Sequence, residues 1–425
     1  MTRFTAVTAA VATGAALAGG SAAAAVQAAA PAAPAAPGTA PIVQGELVSA
    51  EYLRGMTAQG TRTWLAGDGF SAGSVRYGVD TYRLVYRTVD DRGRPTTASG
   101  LLVLPRNDAR RLRTVSFTHG TSSYKPEAPS TDPEVWSQGP AVTYGSAGFA
   151  AVAPDYLGLG LGPGMHPWKD VPSETTAALD LLRAAKQFVP RTGRALDRQV
   201  MATGFSQGAS PALGLARALQ EGRDPWFRIR AVAPIAGGYD FRGAQIPTMI
   251  GDEGIPRRYR DELEKKVSVA YVAYLLTSWN RQHGLYAAPG EVFKERYAGR
   301  VEKFFDGSTP GQEMLQGLPG SLDELLTGKG FELLRKPGGS FARALTVDGE
   351  VCTAWTPRVP IRLYKISKDE QATTLNTDHC KVALSARGVD VPVVDLGDRT
   401  YGGSRHLGAN LAGTAQAVRW FGGLR

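Results

Sequence analysis

The fold is decided by the stretch QVMATGFSQGAS, residues 199–210. It begins as a short strand-like run, continues into a helical spacing, and carries Gly204 and Gly208 on either side of Ser206. A serine between a strand and a helix is typical of a sharp, strained turn that lifts its hydroxyl clear of a sheet. Larger side chains two residues away would collide there, so glycine is needed. We therefore predict a nucleophilic Ser206, with the Gln207 N–H as an oxyanion donor at the start of the helix.

Strand-like runs alternate with helical stretches around this turn. The runs lie at residues 114–117, 149–153, 199–203, 229–236, 359–364 and 391–394, after a hairpin at 82–86 and 99–104. Helical spacing follows at residues 173–189, 381–387 and 407–421. This alternation predicts an α/β fold with a mostly parallel sheet covered by helices on both faces. Ligands in such folds bind beyond the carboxyl ends of the strands, so we expect the site in those loops.

Residues 241–356 interrupt the alternation, because they contain no convincing strand. Helix candidates lie at 258–279, 290–305 and 320–326, and the first of them is apolar on more than one face. Such a helix either faces an apolar cavity or is simply buried. We predict that residues 241–356 form a helical insertion, a cap or lid, within one catalytic domain of residues 44–425.

A serine hydroxyl needs a base, and histidine is the usual one. The motif around Ser206 carries an expected chain order of serine, acid and histidine. His283, His379 and His406 follow Ser206. His406 comes after the last predicted strand and opens the last helix, so we predict that it is the base; His379 is expected to be a surface or packing residue.

The acid should orient the imidazole and stabilise its cation. Asp369 comes just after the predicted strand at 361–366, which is the expected place. Glu370 is its nearest competitor, and Asp395 and Asp398 are weaker candidates. A second oxyanion donor is expected in the loop after the strand at 114–117, where we select the Thr121 backbone N–H. In the same loop, His119 is either part of that site or a structural hydrogen-bonding residue.

The N-terminus has the pattern of a secretory signal. Residues 1–25 combine Arg3, an uncharged run rich in alanine and valine, and small residues fitting a cleavage site. A membrane anchor is the weaker alternative, because the run is short of the ~20 residues of a span. Residues 26–43 form an Ala/Pro-rich linker. Export would place Cys352 and Cys380 in an oxidising compartment, which predicts a disulfide, with two buried thiols as the alternative.

Composition excludes several other classes. The chain has 425 residues and a formal net charge of +9, but its lysines and arginines are scattered. Without a basic run that could follow phosphates, nucleic-acid binding is not expected. Two cysteines are too few for a disulfide scaffold or a four-cysteine zinc site. The predicted chemistry needs no metal and no organic cofactor.

Taken together, these residues resemble the α/β-hydrolase fold and, more narrowly, the secretory lipase family of lipase-A type. The resemblance rests on the motif at 204–208, on DYLGLG at 155–160 with HPW at 166–168, and on the insertion before the acid strand. It spans roughly residues 44–425. One departure is QAT at 371–373, where the family often has Val-Pro after its Asp-Glu pair.

The resemblance implies a secreted esterase or lipase that cleaves acylglycerols or similar esters through an acyl-enzyme. It supports Ser206, Asp369 and His406 as the triad, and gives Asp155 and Tyr156 a role in shaping the loop beside the oxyanion site. The implied partners are a small-molecule or lipid ester and, transiently, a lipid interface. A serine peptidase or acyltransferase with the same triad, and a non-catalytic binding protein on the same fold, are the alternatives.

Overall fold

The computed structural model describes residues 43–424. The predicted signal peptide and the predicted linker up to residue 42 lie outside the described residues. Within 43–424, none of the helices combines the length and the apolar character that crossing a bilayer requires.

One nine-stranded sheet runs through the described residues, in the order β1-β2-β3-β5-β4-β6-β7-β8-β9. The strands are β1 Leu47–Met56, β2 Val79–Val89, β3 Pro95–Pro105, β4 Arg111–Thr118, β5 Ala150–Pro154, β6 Ala195–Phe205, β7 Arg228–Ile235, β8 Leu363–Lys365 and β9 Val393–Asp395. The pairings among β1, β2, β3 and β5 are antiparallel, and those from β5 through β9 are parallel. The predicted fold class is confirmed.

Helices cover both faces of this sheet. They are α1 Ala58–Gly67, α2 Val135–Ser146, α3 Val171–Phe188, α4 Ala209–Gln220, α5 Ile246–Met249, α6 Arg257–Arg260, α7 Lys265–His283, α8 Glu295–Ala298, α9 Gly311–Gly317, α10 Leu322–Leu325, α11 Gly328–Arg335, α12 Gly339–Thr353, α13 Leu375–Ser385 and α14 Arg405–Gly423. One core lies between the sheet and α3, α4 and α13, and the other between the sheet and α1, α2 and α14.

Strand alternation assigns side chains to these two cores. In β3, Leu102 and Leu104 belong to the first core, whereas Leu101 and Val103 belong to the second. Successive side chains of a strand point to opposite faces, so a strand covered on both faces is apolar throughout. Because the strands from β5 through β9 run parallel, their carboxyl ends lie at one edge of the sheet.

The chain between β7 and β8 folds into α5 to α12, and this part of the described chain contains no strand of the sheet. These helices enclose a third core around α7, to which Trp168 contributes from outside the insertion. The helix predicted at 258–279 is divided, since α6 ends at Arg260 and α7 begins at Lys265. The one predicted at 290–305 is three short turns, and α9, α11 and α12 were not predicted.

A disulfide joins the end of the insertion to the helix beyond β8. Cys352 lies in α12, Cys380 lies in α13, and the two are bonded. The predicted disulfide is confirmed, and it joins the exit of the insertion to α13, the helix that follows Asp369 in the chain.

Candidate active site

Ser206 lies on a strained turn between β6 and α4. Its backbone φ is +57°, a left-handed conformation that a residue with a side chain adopts only at a cost. A Cβ atom at Gly204 would lie 2.1 Å from the Gly208 carbonyl oxygen, and one at Gly208 would lie 2.0 Å from the Thr118 oxygen. Both glycines are therefore required for the tight approach that presents the serine hydroxyl.

The structure brings Ser206, His406 and Asp369 together. His406 Nε2 lies 2.8 Å from Ser206 Oγ, and His406 Nδ1 lies 2.9 Å from an Asp369 carboxylate oxygen. The three residues are 6%, 1% and 1% exposed, respectively. The imidazole can accept the serine proton at one nitrogen while the carboxylate holds the other.

Backbone donors hold the Asp369 carboxylate in place after β8. Its Oδ1 accepts hydrogen bonds from the N–H groups of Gln371 and Ala372, at 3.0 and 2.9 Å. These bonds hold the carboxylate in the orientation that faces the imidazole. The acid is fixed by the chain immediately following it, so it does not depend on a distant side chain.

Glu370, the competing acid, does not contact the imidazole. Its carboxylate accepts hydrogen bonds from the N–H groups of Arg405 and His406, at 3.1 and 3.3 Å, and from the Ser404 hydroxyl. These are the unpaired donors at the N-terminus of α14. Asp369 therefore holds the ring of the histidine, and Glu370 holds its backbone.

The other histidines lie away from the serine hydroxyl. His379 Nδ1 is 2.8 Å from Asp240 in a partly exposed pair on α13, as expected of a surface residue. His119 and His166 stack on either side of Tyr156, with ring centroids 4.3 and 5.6 Å from it. Burial lowers the pKa of His119 to about 4 and that of His166 to about 3, so both are neutral structural groups.

The two predicted oxyanion residues both lie beside Ser206. Thr121, near the start of the loop after β4, and Gln207 line a small cavity together with the serine. The Gln207 side chain points away from the site, with Nε2 2.6 Å from Glu174 Oε1 and 2.8 Å from His166 Nε2. The side-chain amide of Gln207 therefore holds the turn in place. The backbone of Gln207 is the part of the residue that lies next to the serine.

Asp155 and Tyr156 contact the neighbouring loops and do not touch Ser206. The Asp155 carboxylate accepts hydrogen bonds from the hydroxyls of Ser99 and Ser130, and the Tyr156 hydroxyl donates to the His119 carbonyl at 3.0 Å. Burial raises the pKa of Asp155. These contacts fix the loops that flank the oxyanion residues.

Sequence reasoning missed a buried ionic group behind the turn. Lys169 lies 3.0 Å from Asp348 of the insertion, and both side chains are buried. Nearby, burial raises the pKa of Glu174 to about 8 despite the Lys169 charge. A lysine in a loop and an aspartate in a helix carry no pairing signal in the sequence, so only the fold could reveal this contact.

Two spaces of very different size meet at Ser206. A cleft of about 880 Å³ opens to solvent and is lined by His406, Leu407 and Trp136, among others. A cavity of about 20 Å³ lies under the insertion and is lined by Trp168 and Phe241, among others. A substrate bound at the serine hydroxyl would therefore meet two unequal spaces.

Comparison with known proteins identifies the fold. No protein-family model and no curated protein sequence matches the chain. It is similar to the structure of the rice cell wall degrading esterase LipA from Xanthomonas oryzae, with 23% identity, a TM-score of 0.78, and coverage of 90% of this chain and 99% of that one. It is also similar to Candida antarctica lipase A, with 12% identity, a TM-score of 0.59, and coverage of 83% and 77%. The predicted α/β-hydrolase fold is confirmed; membership of the secretory lipase family stays a prediction.

Proposed function

We propose that the chain is an exported serine hydrolase that cleaves carboxylic esters, of acylglycerols or similar compounds. The observation that carries the proposal is the hydrogen-bonded line from Asp369 through His406 to Ser206, at 2.9 and 2.8 Å, with the hydroxyl beside an open cleft. Two structural neighbours are named an esterase and a lipase, which adds support. At identities of 23% and 12%, the similarity itself is one of fold.

The reaction would proceed through an acyl-enzyme. His406 takes the Ser206 proton while Oγ attacks the ester carbonyl carbon, and Asp369 stabilises the imidazolium. The N–H groups of Gln207 and Thr121 receive the oxyanion. His406 then gives its proton to the leaving alcohol, after which it activates a water molecule that releases the acid and restores the serine. The residues of the chain suffice for each of these steps.

Export and the role of the insertion belong to the same proposal. Residues 1–25 are the signal that would be removed, and the Cys352–Cys380 disulfide supports an oxidising destination. Residues 241–356 would act as the cap or lid over the site, with transient contact at a lipid interface.

The test compares p-nitrophenyl acetate hydrolysis by the native protein and by Ser206→Ala. We expect kcat/KM to fall by at least about 10⁴-fold, since removal of the nucleophile leaves only residual stabilisation. His379→Ala is the matched control for His406→Ala, because its imidazole pairs with Asp240 outside the site; only His406→Ala should abolish turnover. Activity that persists in Ser206→Ala would refute the proposed nucleophile. Peptide substrates and an added acceptor alcohol separate peptidase and acyltransferase activity.

A further inference from the structure

We propose that the chain selects esters joining a short acid, of two or three carbons, to a larger alcohol. The small cavity beside Ser206 would be the acyl subsite and the open cleft the alcohol subsite. This inference rests on the proposed function and extends it to a substrate class.

The position of His406 decides which space receives which half of the ester. The histidine must protonate the leaving alcohol, so the alcohol oxygen has to lie next to Nε2. His406 lines the large cleft together with Leu407 and Asn410, whereas it does not line the small cavity. The alcohol therefore leaves through the cleft, and the acyl group lies on the other side of Ser206.

The two oxyanion residues support the same orientation. Gln207 lines the small cavity and not the cleft, whereas Thr121 lines both, so a carbonyl oxygen directed at their N–H groups sits at the mouth of the cavity. The acyl carbon bonded to that carbonyl then extends into the cavity, which is the nearest space that His406 does not line.

The size of the cavity limits the acid. Its volume of about 20 Å³ accommodates a group the size of one water molecule or methyl group, against about 880 Å³ in the cleft. An acetyl group places one methyl beyond the carbonyl carbon, and a propionyl group one carbon more. A hexanoyl chain has no room unless the wall moves.

Interlocked aromatic rings keep that wall in place. Trp168 stacks on Tyr274 with ring centroids 4.8 Å apart and meets Phe241 edge-on at 5.9 Å. Trp168 Nε1 also donates to the Thr121 hydroxyl at 3.1 Å, which ties the ring to the oxyanion loop. Such packed rings do not yield to a longer chain without loss of their contacts.

Tyr271 and Gln371 lie where the cavity meets the cleft, because both residues, like Ser206 and Thr121, line both spaces. The Tyr271 hydroxyl donates to Gln371 Oε1 at 2.8 Å, and its ring stacks on Trp168 at 5.8 Å. A long acyl chain that extends from the cavity past these two residues would have to break this hydrogen bond.

The cavity also favours an uncharged acid. The Lys169 ammonium lies in its wall, but it is within 3.0 Å of three oxygens, on Ser210, Gly238 and Asp348. The ammonium donates hydrogen bonds to Ser210 and Gly238, and its charge is paired with Asp348, so it is not free to hold a carboxylate on the substrate.

Two isomeric esters test the orientation directly. Hexyl acetate and ethyl hexanoate have the same formula, so size and overall hydrophobicity are matched and only the positions of the long and short halves are exchanged. We expect kcat/KM to be at least tenfold higher for hexyl acetate. Equal rates, or faster cleavage of ethyl hexanoate, would overturn the inference. Cleavage of neither, nor of p-nitrophenyl acetate, would instead overturn the proposed function.

A pair of phenylalanine variants tests the cavity itself. Phe241→Ala enlarges the cavity and should reduce the preference for hexyl acetate at least fivefold, chiefly through faster hydrolysis of ethyl hexanoate. Phe341→Ala is the control, because Phe341 is equally buried in the insertion but does not line the cavity. An unchanged preference in folded Phe241→Ala, or an equal change in Phe341→Ala, would refute the assignment. The isomer ratio of the native protein decides the question even if Phe241→Ala fails to fold.

Discussion

The sheet and the insertion position their residues in different ways. Ser206 directly follows β6, Asp369 lies in the loop after β8, and His406 opens a helix whose N-terminus Glu370 caps, so backbone geometry places all three. In the insertion, Tyr271 is placed by the packing of rings from separate segments. The difference teaches that, on the proposed function, the chemistry would depend on the strand-end loops, whereas the insertion would govern substrate choice and stability.

The two regions meet at Trp168 and Lys169, in the loop before α3. Trp168 belongs to the core of the insertion, and Lys169 reaches Asp348 of α12. Lys169 has a φ of +61°, a conformation that costs energy and persists because the surrounding contacts hold it. Substitutions in the strand-end loops should therefore remove turnover, and those at the junction should reduce stability.

The largest effect is expected from Asp369→Asn. An amide at this position favours the wrong imidazole tautomer, so kcat should fall by about 10⁴-fold while the thermal midpoint changes little. Glu370→Gln is the matched control, since the amide oxygen still accepts the N–H groups at the start of α14, and its kcat should fall less than about tenfold. Steady-state kinetics of both proteins decide which acid orients the ring. A larger loss in Glu370→Gln would reverse the two roles.

Breaking the ion pair between the two regions should have the next largest effect. Lys169→Met leaves the Asp348 carboxylate buried without a cation, which costs roughly 3–5 kcal/mol of unfolding free energy. The double variant with Asp348→Leu should recover most of that loss, because an apolar pair removes the uncompensated charge. Urea unfolding measures both. If the single and double variants were equally destabilised, the loss would come from packing, not charge.

The disulfide between the insertion and α13 should contribute somewhat less. Replacing Cys352 and Cys380 by alanine is expected to lower the unfolding free energy by about 3 kcal/mol, as loop-closure entropy is lost from the unfolded state. Thermal unfolding of the native and double-alanine proteins measures the change, with reduction of the native protein as the second route to the same state. An unchanged midpoint on both routes would contradict a bracing role.

The last expected effect is a pH dependence of stability at Glu174. Its folded pKa of about 8 lies above that of an exposed carboxyl, so the folded state binds more protons and stability falls as pH rises from about 4.5 to about 8. Glu174→Gln removes this titration and keeps the hydrogen bond to Gln207. Its thermal midpoint relative to native protein should rise by about 5 °C between pH 5 and pH 8.5. A difference independent of pH would mean that Glu174 is ionised throughout.

Periodicity explains which parts of the fold the sequence predicted. The buried parallel strands are continuous apolar runs, and all were located. The edge strand β1 was missed, because it is largely exposed and its register with β2 shifts twice. Helix α12 was missed because one position of its buried stripe, between Leu345 and Val351, is Asp348. A charged residue in a core position conceals a helix unless its partner is known.

The candidate site divides in the same way. Ser206, Asp369 and His406 each follow an element that the sequence marks, so their convergence could be predicted from chain order and from the common edge of parallel strands. Tyr271 lies in a helix that is apolar on several faces, so the pattern could not show which residue reaches the serine. Contacts made by packing between segments distant in sequence leave no local signal.

Covalent labelling tests the central claim most directly. Diethyl p-nitrophenyl phosphate should transfer its diethyl phosphoryl group to Ser206 Oγ, with release of p-nitrophenolate, and peptide mass spectrometry should find the adduct on Ser206. Labelling should slow by at least 10³-fold in His406→Ala, because the serine then lacks its base. A label on another residue, or an unchanged rate in His406→Ala, would contradict the assignment of Ser206 and His406 as nucleophile and base.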